Sequence, residues 1–491
     1  MSETSTGTDI ETSSNLSLLD RIVADGKMAI DDSQKDHARD LIAEFVDQVV
    51  GQSDKMTKDV VEAINLRIAQ IDELITAQLN EVLHTPSFQK LEATWRGLHY
   101  LVSKAETGTK LKIRVINATK GDVLKDLEKA VEFDQSSLFK QIYEEEYGTF
   151  GGTPYGLLLG DYEFGRHPQD IALLEKISNV AAAAHAPFIA AAAPKMFDML
   201  AFSDLGVPRD LAKIFESTEM VKWRSFRASE DSRYVALTLP HTLLRLPYGP
   251  DTKPVEGVNF IEDVDGTDHS KYLWGNAAWA LAERICAAFS QHGWCAAIRG
   301  AEGGGKVEGL PTHTFRTDEG EIALKCPTEI AITDRREKEL SDLGFISLVH
   351  CKNTDFAAFF GAQTANKPKL YNTNEANANA HLSSVLTYIL AASRFAHYIK
   401  VMMRDKIGSF TSKVTVEQFL NKWLSGYVLL MDEASQSQKA KYPLREGRVD
   451  VTEVPGRPGA FRATVFLRPH FQLEELTASI RLVAELPPPT A

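Results

Sequence analysis

Between residues 155 and 352, short and almost wholly apolar runs alternate with amphipathic stretches of helical period, and few folds accept that order. "YGLLLGD", "PFIAAAA" and "SRYVALTLP" are too short for helices and too apolar to be strands with one wet face. Between them, "PQDIALLEKISNVAAAA" and "DLAKIFESTEMVKWRSFRA" read as helices. The order then repeats. "YLWGNAAWALAERICAAFSQHG" is a helix stopped by Gly293, "WCAAIRG" a strand, "TDRREKELSDLG" a helix and "FISLVHCK" a strand. Strands buried on both faces and joined through helices imply βαβ units, hence a largely parallel sheet covered by helices. The expected fold class is α/β, in the sense of a mixed, layered α+β body.

Upstream lie two long helical stretches. In "KDVVEAINLRIAQIDELITAQLNEVLH", Val60, Ile64, Ile68, Ile71, Ile75, Leu79 and Val82 recur every three or four residues and form one apolar stripe. Thr85 is the expected N-cap of the next helix, with Pro86 at its first position. Its stripe is Phe88, Leu91, Trp95, Leu98 and Val102, with Glu92 and Arg96 as an i,i+4 pair. Such stripes either pack on each other as a helical hairpin or await a partner chain. "KLKIRVINA" alternates as a half-buried strand. Residues 1–58 are polar and read as a flexible arm, with helix expected around "SQKDHARDLIAEFVDQVV".

Downstream, "QTANKPKLYNTNEAN" is loop-like and divides a body, 59–370, from a C-terminal domain, 371–491. That domain reads as a long helix from "ANANAHLSSVLTYIL" to "RFAHYIKVMMRDKIG", a second helix "VTVEQFLNKWLSGYVLLMDEA", and a hairpin of "GRVDVTEV" and "FRATVFLRP". A last strand, Ser479–Leu486, can pair at home or add to another chain.

The net charge of −13 argues against nucleic acid or an anionic membrane as the main partner, since both demand clustered Lys and Arg. The start has no basic residue before Arg21 and no apolar core, so no secretory signal is expected. The alanine-rich "NVAAAAHAPFIAAAAP" is too short and too weakly apolar to span a bilayer. A soluble, cytoplasmic protein is expected. Cys286, Cys295, Cys326 and Cys351 fit no zinc spacing and read as reduced, buried thiols.

Two segments invite a catalytic reading. "GAEGGGK" places Gly300, Gly305 and Lys306 at P-loop spacing, which raises a nucleotide-binding enzyme. Val307 stands where a Mg²⁺-binding hydroxyl is needed, and Gly309 and Pro311 oppose the helix that must follow. Asp161 and Glu163 follow a predicted parallel strand, where α/β enzymes place catalytic groups, which raises a metal-dependent hydrolase. The alternative is loop acids that cap a helix or pair with Arg166. No nucleophile motif appears, and His350 beside Cys351 is a poor ligand pair on a strand. No catalytic, cofactor or metal residue is assigned.

The strings "HTPSFQKLEATWRGLHYLV", "EEEYGTFGGTPYGLLLGDYEF", "WRSFRASEDSRYVALTLPHTLLRLPYG" and "YLWGNAAWALAERI" resemble the large sheath subunit of bacterial type VI secretion systems, the TssC/VipB family. So do "GWCAAIRGAEGGGKVEGLPTHTF", "CPTEIAITDRREKELSDLGFISLVHCK", "SRFAHYIKVMMRDKIGSF" and the C-terminal "PLREGRVDVTEVPGRPGAFRATVFLRPHFQLEELTASIRLVAELP". The resemblance runs from about residue 60 almost to the end.

It implies a phage-tail-sheath-like fold and a structural, non-enzymatic role with no cofactor. The family's large subunit pairs with a small sheath subunit. The pairs polymerise as a helical sheath around an inner tube on a baseplate, and contraction drives the tube outward. A separate AAA+ ATPase recycles the contracted form. The stripe from Val60 to Val82 becomes the candidate surface for the small subunit. Glu474 and Glu475 are candidates to face the inner tube, with a solvated face as the alternative. Ser479, Ile480, Arg481, Leu482 and Val483 are candidates for strand exchange with neighbours.

Overall fold

The computed structural model describes residues 18–25, 28–29, 31–51, 60–317, 319–407, 409, 412–431, 433–455 and 461–470. The chain divides into two compact units. The smaller holds the described residues up to Leu83 with the segment Tyr248–Asp263, and the larger holds His84–Pro247 and the described residues from Val264 onward.

In the smaller unit, α1 (Leu18–Asp25) packs on α2 (Asp32–Gly51) and buries Val23 and Ala38. Asp31 Oδ1 accepts from the backbone N–H groups of Ser33 and Gln34 at 3.0 and 3.2 Å, which supplies α2 with its start. The helix expected within the polar N-terminal stretch is therefore present; the first fifteen residues lie outside the described ones. The long helix α3 (Val60–Leu83) carries Asn80, whose amide donates to Ile261 O at 3.3 Å and accepts from Asp263 N at 2.9 Å. One side chain thus satisfies both polarities of a loop backbone.

The larger unit is built on six strands: β1 (Leu158–Phe164), β2 (Phe188–Ala192), β3 (Val235–Leu239), β4 (Lys306–Val307), β5 (Phe345–His350) and β6 (Ala357–Phe359). Their spatial order is β1-β2-β3-β5-β6-β4. The first four in that order run parallel; β6 pairs antiparallel with both β5 and β4. Side chains alternate between two cores. Phe188, Ala190, Val235, Leu237 and Phe345 face helices Pro168–Ala184 and Val221–Ala228. Ile189, Ala236, Ile346 and Leu348 face helix Ala278–His292 and Leu101 of α4 (Pro86–Lys104). Both sheet faces are buried, so the central strands are largely apolar, with Thr238 and Ser347 as buried polar exceptions and Asp161 and Glu163 on β1. Each fully buried Phe, Ile or Leu contributes about 1.5–3 kcal/mol.

A third core holds the C-terminal part. Trp294, Phe395, Leu420 and Leu424 pack with Val449 and Val451 of the antiparallel hairpin β7 (Leu444–Glu453) and β8 (Phe461–Pro469). Asn421, on helix Lys413–Ser425, donates to Val449 O at 2.8 Å and accepts from Val449 N at 2.9 Å. It pins the hairpin to the helix.

Five expected elements differ, the first being the helix expected over 414–434, which ends at Ser425. Residues 111–119 form no strand. They are anchored by side chains instead: Arg114 contacts Glu146 and Tyr155, and the Tyr162 hydroxyl donates to Ala118 O at 2.7 Å. Residues 294–300 form no strand either, because Trp294 goes to the third core and Ile298 to the second. The helix expected over 210–228 breaks at Ser217, where Arg224 Nη1 donates to the carbonyls of Phe215 and Ser217 at 2.7 Å each. The helix expected over 376–407 breaks at Ser383–Val385. There the backbone turns aside to bond Thr364 N to Ser384 O at 2.9 Å and Leu386 N to Ala362 O at 2.7 Å.

α4 docks through a face that its apolar stripe did not single out. Gly97 lies against the Trp279 indole, and a Cβ there would sit 2.4 Å from the ring. Trp279 in turn donates from Nε1 to Asp161 at 3.1 Å, so it has little room to move. Gly97→Ala is expected to destabilise the chain by about 1–3 kcal/mol, read by denaturant titration. An unchanged midpoint would mean that the helix slides freely on Trp279.

Candidate functional site

The glycine loop can be judged from its hydrogen bonds. Gly300 N donates to Phe359 O at 2.7 Å, Gly305 N to Gly300 O at 2.9 Å, and Phe359 N to Gly305 O at 3.0 Å. The two glycines at the ends of the loop are thus bonded to each other and to β6. A Cβ on Gly303 would lie 2.3 Å from Arg299 O, one on Gly304 2.2 Å from Ala297 O, and one on Gly305 2.6 Å from Phe359 O. These glycines let backbone touch backbone. Lys306 begins β4 rather than a helix. Its ammonium is 2.5 Å from Glu308 Oε1 and 4.2 Å from the centre of the Phe356 ring. The segment is a packed corner without the features of a phosphate cradle.

Asp161 and Glu163 are also engaged, and separately. Asp161 accepts from Thr94 Oγ1 at 2.6 Å, Trp279 Nε1 at 3.1 Å and Asn276 Nδ2 at 3.4 Å. Glu163 meets His241 Nε2 at 3.0 Å, and the other ring nitrogen of His241 is 2.6 Å from Glu329 Oε2. Glu329 Oε1 accepts from Phe202 N at 2.9 Å. Arg166, expected as the partner of these acids, instead pairs with Asp198 and Glu219 at 3.0 Å each. Among the described residues, no group of three or more His, Cys, Asp or Glu is arranged to hold a metal ion.

The carboxylate–imidazole–carboxylate chain joins residues 78 and 88 positions apart, so no local pattern could reveal it. Burial opposes a charged His241 ring, but hydrogen bonds and charge from Glu163 and Glu329 outweigh it and push its pKa up to about 10. A raised folded-state value stabilises fully below the unfolded value of about 6.5, and the contribution is lost as pH rises through about 10. His241→Gln is expected to cost about 3 kcal/mol near pH 6.5, because it leaves two carboxylates facing each other. The gap to the parent should narrow steadily towards pH 10 in denaturant titrations. A gap that does not depend on pH would rule out the imidazolium.

The four thiols are half-buried rather than buried, and none is in a disulfide. Burial pushes Cys286 up to about 11 and Cys295 up to about 12, so neither is a ready thiolate. His350 Nε2 lies 2.8 Å from Thr354 O, a local turn contact.

The helical stripes are different, because they face outward. On α3, Ile64, Ile68, Ile75, Leu79 and Val82 are all exposed, Ile68 by 47% and Val82 by 49%; Ile71 is half-buried. The side chain of Val60 lies outside the described ones. Leu66 and Leu74, off the stripe, are exposed as well. On α4, Phe88, Leu91, Trp95 and Val102 are exposed, Trp95 by 64%, while Leu101 and Gly97 make the inward face. Contiguous large apolar groups in water mark an interaction surface. Glu474, Glu475 and Ser479–Val483 lie outside the described residues. Among the described residues, no helix is long and apolar enough to cross a membrane.

Comparison with known proteins gives these features a family. Residues 65–366 match the family described as VipB, EvpB/VC_A0108, tail sheath N-terminal domain. Residues 375–486 match VipB_2, EvpB/VC_A0108, tail sheath gpW/gp25-like domain. The chain is 50% identical over 449 residues, 90% of each chain, to the type VI secretion system sheath protein TssC1 of Pseudomonas aeruginosa. Slighter likenesses are found among solved structures. The anti-feeding prophage baseplate is similar at 10% identity with a TM-score of 0.37, covering 76% of this chain and 83% of that one. The contracted helical sheath of the same prophage is similar at 9% identity with a TM-score of 0.29, covering 64% and 74%. With both tail sheath domains matched and half of all positions shared with a sheath protein across nine-tenths of its length, the chain belongs to the TssC/VipB family of type VI secretion sheath proteins.

Proposed function

We propose that this chain is the large subunit that pairs with a small sheath subunit and polymerises into a helical sheath around an inner tube, and that contraction of this sheath propels the tube. The observation that carries the reading is the exposed apolar stripe of α3, which a lone globule would bury. Residues 371–491 act as the inner domain, with Glu474 and Glu475 towards the tube and Ser479–Val483 exchanged between neighbours as added strands. Residues 1–58 form the arm, and 59–370 the body. The baseplate nucleates the polymer, and an AAA+ ATPase recycles it after contraction. The chain works in the cytoplasm as a structural component, and the energy comes from repacking a lattice rather than from a bound substrate. A contact that repeats head to tail without closing makes an open helix, as a sheath requires.

Expressed alone, the chain is expected to aggregate. Expressed with the small subunit, it should dissolve and form hollow tubules in negative-stain microscopy. A soluble, monomeric lone chain that forms no tubules with its partner would overturn the reading.

A further inference from the structure

Helix Leu386–Asp405 belongs to two cores. Leu386 and Leu390 sit in the second core, Phe395 and Ile399 in the third. Its second half meets the body along a seam of three basic side chains. His397 Nε2 donates to Ala184 O at 2.8 Å. Lys400 Nζ donates to Tyr143 Oη at 3.1 Å and lies 3.5 Å from the centre of the Tyr147 ring. Arg404 Nη1 donates to Thr149 O at 3.0 Å. These three donors meet carbonyls, a hydroxyl and a ring face, so no carboxylate balances their charge in the seam.

His397 is the buried member, only 2% exposed. Donation from Nε2 leaves Nδ1 as an acceptor, and Nδ1 is buried with no hydrogen-bond partner among the described residues. Around the ring, Arg394 and Lys400 come from its own helix. His185, just past helix Pro168–Ala184, has its ring centre 6.2 Å away and meets the Tyr234 hydroxyl at 3.1 Å. Tyr147 lies edge-on at 5.0 Å. The nearby carboxylates are turned elsewhere. Glu146 holds Arg114 and Thr153, Glu144 and Glu145 are exposed, and Asp231 lies on the turn that carries Tyr234. Burial pushes His397 down to about 4, against its bond to Ala184 O and with help from Arg394, His185 and Lys400. Burial and then Lys400 lower His185 as well. A cavity of about 400 Å³, lined by His185, Lys400, Phe395 and Leu467 among others, gives water a path to the pair and the helix room to shift.

We infer that His397 and His185 form a proton-operated latch between helix Leu386–Asp405 and the end of helix Pro168–Ala184, so that acidification releases the second half of the former from the body while the sheet and the third core stay folded. Leu386 and Leu390 remain in the second core, so the third core stays tethered after release. A docked value of about 4, below a released value of about 6.5, makes docking complete above pH 6.5 and progressively weaker as pH falls towards 4. From about pH 7.5 to about pH 5, His397 alone should weaken docking roughly twentyfold. The latch lies within one chain and stands whether or not that chain builds a sheath.

Hydrogen exchange of the full-length chain in its co-expressed complex tests this, read by mass spectrometry at about pH 7.5 and about pH 5 and corrected for intrinsic rates. Protection over residues 395–405 should fall roughly twentyfold or more, while that of helix Ala278–His292 changes less than about threefold. His397→Gln keeps an amide that can donate to Ala184 O but takes no proton, and its fall should shrink to about threefold. Lys400→Met removes one cation and keeps His397, so its fall should be smaller than the parent's yet still present. It decides the matter if His397→Gln does not fold. A parent fall that is equal in helix Ala278–His292 would mean general acid loosening and overturn the inference. So would a fall of undiminished size in His397→Gln, or in Lys400→Met where the first variant does not fold.

Discussion

Ile68→Asp combined with Ile75→Asp should abolish co-purification with the small sheath subunit and leave the chain's own fold intact. Both side chains are exposed, by 47% and 37%, so the change costs the free chain only helix propensity, about 0.5 kcal/mol per site. In an interface the same carboxylates would be dehydrated without partners, at several kcal/mol each. Together they should weaken pairing by at least about a thousandfold, since 1.4 kcal/mol is a factor of ten. Leu66→Asp and Leu74→Asp are the controls. They are more exposed, by 64% and 66%, on the same helix but off the stripe, and should leave pairing largely intact. Pairing that survives the first pair and fails with the second would move the contact to another face of α3. Pairing that survives both would remove α3 from the interface.

The layered sheet was legible because burial on both faces leaves its mark at every residue. Phe188 to Ala192 is apolar throughout, and alternate residues serve two different cores. Elements whose residues divide between cores were not legible. Trp294 and Ile298 sit four positions apart in an apolar run that looks like a strand, yet they belong to different cores. Helix breaks at Ser217 and Ser383–Val385 depend on partners far along the chain, Arg224 apart, and on the backbone of Ala362 and Thr364. The stripe on α4 shows a subtler limit. Periodicity finds an apolar face, but it cannot say whether water, this chain or another chain covers it. There the inward contacts are Leu101, off the stripe, Leu98, on its edge, and Gly97, which carries no hydrophobic signal at all.

The candidate surface was legible for the opposite reason. The isoleucines of α3 recur with helical period, and most of them are exposed among the described residues. The His241 chain was invisible because its three members meet only after β1, the turn beyond β3 and the segment near Glu329 are assembled. The glycine loop has P-loop spacing at Gly300, Gly305 and Lys306, but Val307, Gly309 and Pro311 already speak against a phosphate site, and the hydrogen bonds of Gly300 and Gly305 agree. Spacing alone cannot tell N–H groups offered to a phosphate from N–H groups already spent on carbonyls.

That distinction yields the second large effect. Gly304→Ala is expected to cost at least about 3 kcal/mol and to sharply reduce soluble yield. Its φ of 95° is strained for any residue with a Cβ, and the new carbon would lie 2.2 Å from Ala297 O. The obstacle is backbone, which cannot swing away as a side chain can. Gly300→Ala supplies the internal comparison. Its φ of 76° brings strain, but its nearest obstacle is 3.9 Å away, so about 1 kcal/mol is expected. Lys306→Ala should cost less than about 1 kcal/mol, because its partner Glu308 is exposed and water screens the pair. A phosphate-binding loop would reverse this ranking in function, with the lysine indispensable for saturable ATP binding. A packed corner makes Gly304 the sensitive position and the lysine nearly silent in both stability and nucleotide titrations. Saturable ATP binding that disappears with Lys306→Ala would defeat the architectural reading, whatever the glycine variants did.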